Sequence, residues 1–165
     1  MNTKTRKIVI ASLLCALCCV ATMIIKIPSP LKGYINLGDC VVLLSGWLLS
    51  PGYGFAAAGL GSALADVFSG YVIYAPATFV IKGIMALVAH FCYKRMHTEL
   101  SSTLSRIIGG ALAEVIMIGG YYVFEGFMYG FAAALVNIAA NAAQGIVGLV
   151  VGLILIKIFE KAKIF

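Results

Sequence analysis

Charge is what this sequence has least of. Of its 165 residues, 11% are Asp, Glu, Lys or Arg, while 62% are hydrophobic and the mean hydropathy is +1.06. A soluble domain carries about 25% charged residues and about 45–50% apolar ones. A soluble fold of this composition would expose more apolar surface than monomers tolerate. The expectation is therefore an all-α membrane protein forming one domain over residues 1–165, because no segment reads as a linker between two. Acids are scarcer than bases, six against twelve, for a net charge of +6. The bases gather at the ends of apolar segments, which marks membrane topology and argues against a nucleic-acid partner. Histidine is nearly absent, and His90 and His97 lie together at one segment end. No G-x4-G-K-[ST] loop, H-E-x-x-H pair or G-x-S-x-G elbow occurs, so nothing points to nucleotide hydrolysis by that loop, zinc proteolysis or serine hydrolysis. All five cysteines (Cys15, Cys18, Cys19, Cys40 and Cys92) lie in apolar segments and read as small buried hydrophobes. No cofactor, metal or disulfide framework is expected.

Long apolar runs are what the sequence has in quantity. A span takes about 20 apolar residues, or fewer inside a bundle, and six are expected, at 8–27, 37–49, 53–68, 73–93, 103–124 and 131–159. Pro28-Ser29-Pro30 ends the first, and Ser50-Pro51-Gly52 separates the second from the third. The first run follows Lys4, Arg6 and Lys7, as a signal peptide would, but it is long enough to span and is read as a helix that is kept. Lys and Arg accumulate on the cytoplasmic side of membrane proteins. With the N-terminus inside, Lys4, Arg6, Lys7, Lys94, Arg95, Arg106, Lys157, Lys161 and Lys163 fall inside, while Lys26 and Lys32 fall outside. Nine against two predicts six transmembrane helices with both termini cytoplasmic. The outward loops are then 28–36, 69–72 and 125–130. Tyr71 and Tyr74, then Phe127 and Tyr129, mark an interfacial belt or a stacking wall for a flat ligand.

Polar residues inside the apolar runs carry the functional signal. A charge at membrane depth costs about 2.5–3.5 kcal/mol on insertion scales and is functional by default. Asn36, Asp39, Asp66 and Lys82 all fall between Gly33 and Gly83. Asp39 opens the second span, where an acid also suits the helix dipole. Tyr74, Thr78 and Lys82 share a face of the fourth span, and Lys82 is expected to pair with Glu114 or Asp66. Glu114, Tyr121 and Glu125 share a face of the fifth; a mid-span Glu114 must be protonated, paired or ligand-bound. Asn137, Asn141, Gln144 and Gly148 are spaced four, three and four apart, on one face of the sixth. Their amides suit interhelical bonds or a neutral ligand rich in hydrogen-bonding groups. Gly54, Ala58, Gly61 and Ala65, and also Gly148-x3-Gly152, form small-residue stripes for close helix approach. The first span adds two more, Ala11-x3-Cys15 and Ser12-x3-Ala16.

Those residues also support a resemblance. The runs Tyr34-Ile-Asn-Leu-Gly-Asp39, Leu43-Leu-Ser-Gly46, Leu48-Leu-Ser-Pro-Gly52, Gly61-Ser-Ala-Leu-Ala-Asp66 and Tyr74-Ala-Pro-Ala-Thr78 with Lys82-Gly83 resemble the S component of energy-coupling-factor (ECF) vitamin transporters. The nearest branch is that of the riboflavin, hydroxymethylpyrimidine and pyridoxine uptake subunits. The resemblance implies a non-catalytic subunit of an ABC-type transporter in the bacterial plasma membrane. It would capture a vitamin at the outer face and work with a transmembrane coupling protein and two cytoplasmic ATPases. It implies a lid at 28–36 and binding residues among Asn36, Asp39, Tyr74, Thr78, Lys82, Glu114, Tyr121, Glu125, Asn137, Asn141 and Gln144. The family docks through Ala-x3-Ala on its first span; here Ala11, Ser12, Cys15 and Ala16 stand in that place. A short chain with modest loops favours a small ring, such as hydroxymethylpyrimidine or a pyridoxine-like compound. A riboflavin-specific subunit and a stand-alone carrier are the alternatives, although a carrier would usually show inverted repeats.

Overall fold

The structure is a computed structural model that describes residues 3–29 and 33–162. Six helices account for nearly all of them: α1 (Thr3–Ile24), α2 (Gly38–Leu48), α3 (Pro51–Phe68), α4 (Ala75–Met96), α5 (Ser102–Tyr129) and α6 (Phe131–Lys161). Between α1 and α2 the chain forms a short hairpin of β1 (Ile27–Pro28) and β2 (Tyr34–Ile35). It is antiparallel, with Ile27 opposite Ile35 and Pro28 opposite Tyr34. Part of the expected lid, 30–32, lies outside the described residues, as do Lys32 and Lys163.

Local chemistry sets the helix ends. Pro51 and Pro76 sit in first turns, where a missing N–H costs nothing. The Ser101 hydroxyl accepts from the Leu104 N–H at 3.3 Å and caps α5, as a serine N-cap does. Between α5 and α6 the chain turns at Gly130, whose φ of 92° favours glycine. The expected loop at 125–130 is therefore corrected. α5 runs on to Tyr129 because nothing before Gly130 breaks it, and Glu125 points inward rather than lying in a solvated mouth.

Of the six expected spans, four helices are long and apolar enough to cross a membrane: α1 from Lys4, α4, α5 and α6. α2 is different. Its 11 residues reach about 16 Å, half the hydrocarbon thickness, and ten in a row from Gly38 to Trp47 are buried. It packs against all five other helices, so neighbouring side chains rather than lipid surround it. A helix apolar all round is a buried helix. The small-residue stripes make this enclosure possible. A Cβ on Gly148 would lie 2.6 Å from the Asp39 Cβ, and one on Gly54 would lie 2.9 Å from the Ser45 carbonyl oxygen. Large apolar side chains point outward, among them Leu13, Val20 and Ile24 of α1 and Ile146, Val150 and Ile154 of α6. That is the pattern of a bundle solvated by lipid.

Candidate functional site

The hairpin end of the bundle holds a small polar cavity of about 30 Å3 that opens to the outside. The hairpin segment contributes Ser29, Gly33, Tyr34 and Asn36; α3 and the turn after it give Asp66 and Tyr71. Tyr74 and Thr78 come from the start of α4, Tyr121 and Glu125 from α5, and Asn141 and Gln144 from α6. Seven of the eleven residues expected to bind substrate thus meet here: Asn36, Tyr74, Thr78, Tyr121, Glu125, Asn141 and Gln144.

One wall is aromatic. Tyr34 lies 4.7 Å from Tyr71, Tyr71 lies 6.5 Å from Tyr74, and Tyr74 lies 5.2 Å from Phe124, centroid to centroid. Tyr71 and Tyr74 are therefore pocket residues, whereas Phe127 is 79% exposed on the outside of the bundle. The other walls carry two carboxylates, Asp66 and Glu125, among hydroxyls and amides that can both donate and accept. Tyr34 donates to the Asp66 carboxylate at 2.6 Å. Burial, with that carboxylate beside it, pushes the Tyr34 phenol above the usual tyrosine range, so it stays a donor. Tyr74 donates to Glu125 at 3.4 Å, and Asn137 donates to the same Glu125 oxygen at 2.8 Å. The second Glu125 oxygen and the Asn137 carbonyl have no hydrogen-bond partner among the described residues. Buried acceptors left in that state cost about 1–3 kcal/mol each; of the two, only Glu125 belongs to a residue that lines the cavity.

Four expected residues do not line the cavity. Asn137 stands behind Glu125. Asp39 and Lys82 form a layer beneath it: Lys82, one turn beyond Thr78 on α4, is ion-paired with Asp39, and both are buried. The expected pairing of Lys82 with Glu114 or Asp66 is thus corrected. Residue 82 faces the first turn of the enclosed α2, and Tyr34 already engages Asp66. Lys82 also lies 5.5 Å from the Tyr121 ring centre, under the cavity floor. Glu114 lies deeper, two turns along α5 from Tyr121, against Gly145 of α6. Its two carboxyl oxygens have no hydrogen-bond partner among the described residues. Five further residues line the cavity: Ser29, Gly33 and Tyr34 belong to the expected lid, Tyr71 to the expected belt or stacking wall, and Asp66 is a residue the sequence offers only as a partner in an ion pair. The aromatic content of the turn after α3 was a usable signal for Tyr71. Nothing in helical periodicity could have placed a hairpin tyrosine on Asp66.

A second concavity, apolar, runs between α1 and α3 on the outer surface of the bundle. Ala11, Ser12, Cys15 and Ala16 all line it, together with Tyr53, Leu60, Leu64 and Phe68. Both small-x3-small motifs of α1 therefore border one groove.

Comparison with known proteins agrees with this architecture. The family model described as "ECF-type riboflavin transporter, S component" matches residues 2–161. An uncharacterised protein of Pyrococcus woesei is 34% identical over 134 residues, covering 81% of this chain and 87% of its own. The thiamine precursor transporter HmpT of Lactococcus lactis subsp. cremoris (strain MG1363) is 24% identical over 138 residues, covering 84% of this chain and 76% of its own. A solved structure described as "Structure and mechanism of the S component of a bacterial ECF transporter" superposes with a TM-score of 0.78 at 25% identity. It covers 96% of this chain and 98% of that one. A helical bundle that turns apolar faces to lipid, keeps a polar cavity at one end and matches the family model over almost its whole length is a multi-pass membrane protein, and the chain belongs to the S-component family of ECF-type vitamin transporters.

Proposed function

We propose that this S component binds a single-ring B-vitamin precursor of the aminopyrimidine or pyridine-alcohol type, hydroxymethylpyrimidine foremost, in the cavity beneath the hairpin. The observation that carries the reading is the lining itself: a tyrosine wall facing two carboxylates, hydroxyls and amides. A flat ring stacks on Tyr34, Tyr71 and Tyr74, while an amino group and a hydroxymethyl group supply donors to the vacant Glu125 oxygen and to Asn141. HmpT, a relative over most of the chain, carries a thiamine precursor.

The hairpin end faces outward, and the basic end, with both termini, faces the cytoplasm of a bacterial cell. The α1–α3 groove takes the transmembrane coupling protein, and two cytoplasmic ATPases on that module supply the energy for uptake. The subunit itself performs no chemistry.

Titration calorimetry of the protein in nanodiscs tests this. Hydroxymethylpyrimidine or pyridoxine is expected to bind at submicromolar Kd, below about −8 kcal/mol, and Asn141→Ala to weaken binding with the fold intact. Binding of neither, or uptake by the chain alone in vesicles, would reject the reading. Riboflavin is the second reading, favoured by the family model's description. Quenching of flavin fluorescence by the tyrosine wall would establish it instead.

A further inference from the structure

We propose that Asp39 and Lys82, which do not line the cavity, are positioning residues for it. Together they decide which way the Gln144 amide faces, and so whether the hairpin has an acceptor to close on. The contacts converge on the Asp39 carboxylate, with donors pointing toward it from both sides. Lys82 donates to one Asp39 oxygen. The other Asp39 oxygen accepts from Gln144 Nε2 at 2.7 Å. Gln144 Oε1 then accepts from the backbone N–H of Asn36 at 2.9 Å, with the Asn36 side-chain amide at 3.4 Å. A carboxylate can only accept, so Asp39 must receive the NH2 end of Gln144, and the carbonyl end is turned to the hairpin. Asn36 in turn accepts from the Gly38 N–H at 2.8 Å, which ties the hairpin to the start of α2.

The ion pair is poorly explained as a source of stability. A buried pair is often no better than an apolar one of the same volume, and its best-attested use is to specify one arrangement. Asp39, Lys82 and Gln144 are 0%, 2% and 3% exposed, so the bonds that Asp39 receives lie away from water, while Asn36 at the hairpin end is half-buried. Gly148 leaves just enough room for α6 to bring Gln144 onto Asp39.

The proposal rests on the binding reading for its purpose, yet its primary readout needs no ligand, so the two can fail separately. In Asp39→Asn, Lys82 draws the new amide's oxygen, and its NH2 faces Gln144. The Gln144 amide must then turn over and present a donor to the Asn36 N–H. Hydrogen–deuterium exchange of the peptide spanning 33–38, in nanodiscs, should become about tenfold faster for a lost hydrogen bond of this kind, with α2 and α4 as protected as before. Asp39→Asn/Gln144→Glu restores acceptors toward both neighbours at constant net charge, and should return exchange to the unmodified rate. Gln144→Met keeps the ion pair but removes the acceptor, and should exchange fast. Should Asp39→Asn alone not fold, the last two variants decide. Equal exchange in Gln144→Met and Asp39→Asn/Gln144→Glu would overturn the proposal. So would an Asp39→Asn protein with unchanged exchange at 33–38, or one in which α2 and α4 lose protection equally.

Discussion

At the scale of single residues, the cavity sets two carboxylates, Asp66 and Glu125, among hydroxyl and amide groups. Glu125 receives Tyr74 and Asn137 on one oxygen, while its other, buried oxygen has no partner among the described residues. Glu125→Gln keeps the shape and replaces one acceptor with a donor. It should raise the ligand Kd by about ten- to a hundredfold, the equivalent of about 1.4–2.7 kcal/mol, in titration calorimetry. Tyr34→Phe leaves the ring in the aromatic wall but strips Asp66 of its 2.6 Å donor. An unsatisfied buried carboxylate costs at least about 1–3 kcal/mol, so the thermal midpoint should fall and the ligand should dissociate faster. Both are visible by scanning fluorimetry and stopped flow. Lys82→Met, which leaves Asp39 buried and unpaired, should cost about 3–5 kcal/mol, and Asp39→Asn/Lys82→Met much less. Denaturation of the two in the same detergent makes the comparison.

At the scale of helices, what matters is how closely α2 can be approached. It is enclosed by α1, α3, α4, α5 and α6, and glycines at 54 and 148 face it without side chains. Gly148→Ala sets a methyl against Asp39, and overpacking of this kind costs about 1–3 kcal/mol. The variant should unfold at lower temperature and exchange faster at 33–38, because α6 carries Gln144 away from the hairpin. Gly52 has nothing near the place of its Cβ, so Gly52→Ala is the matched control and should be silent in both assays. The small-residue stripes on α3 and α6 were legible in sequence because a four-residue spacing names a face directly. The end of α5 was not. Glu125 reads as a solvated helix end until its partners Tyr74 and Asn137 are known, and both come from other helices.

At the scale of the whole molecule, the bundle has two unlike concave surfaces. The polar cavity opens at the hairpin end, and the apolar groove of α1 and α3 runs along the side. At the end away from the hairpin, Arg106 pairs with Glu160 at 2.6 Å and lies 4.7 Å from the Tyr93 ring, joining α5, α6 and α4. Binding and docking should therefore separate by mutation. Ser12→Trp and Ala16→Trp, both at exposed groove positions, should abolish co-purification with the coupling protein and leave the ligand Kd within about twofold, since neither surface shares a residue with the other.

The sequence by itself determined the membrane class, the helices and most of their limits, because hydrophobic length and the rarity of charge act locally and need no partner. It also determined the face on which each polar residue sits. The tertiary structure decided which faces meet. Lys82 was expected on Glu114 or Asp66, and the enclosure of α2 gave it Asp39. Asp66 went to a hairpin tyrosine 32 residues away. Gln144 was joined to both Asp39 and the hairpin backbone, across 105 and 108 residues of chain. Periodicity fixes a residue's direction on its own helix. Which residue it meets depends on how closely neighbouring helices can approach, and glycines from different helices set that distance together.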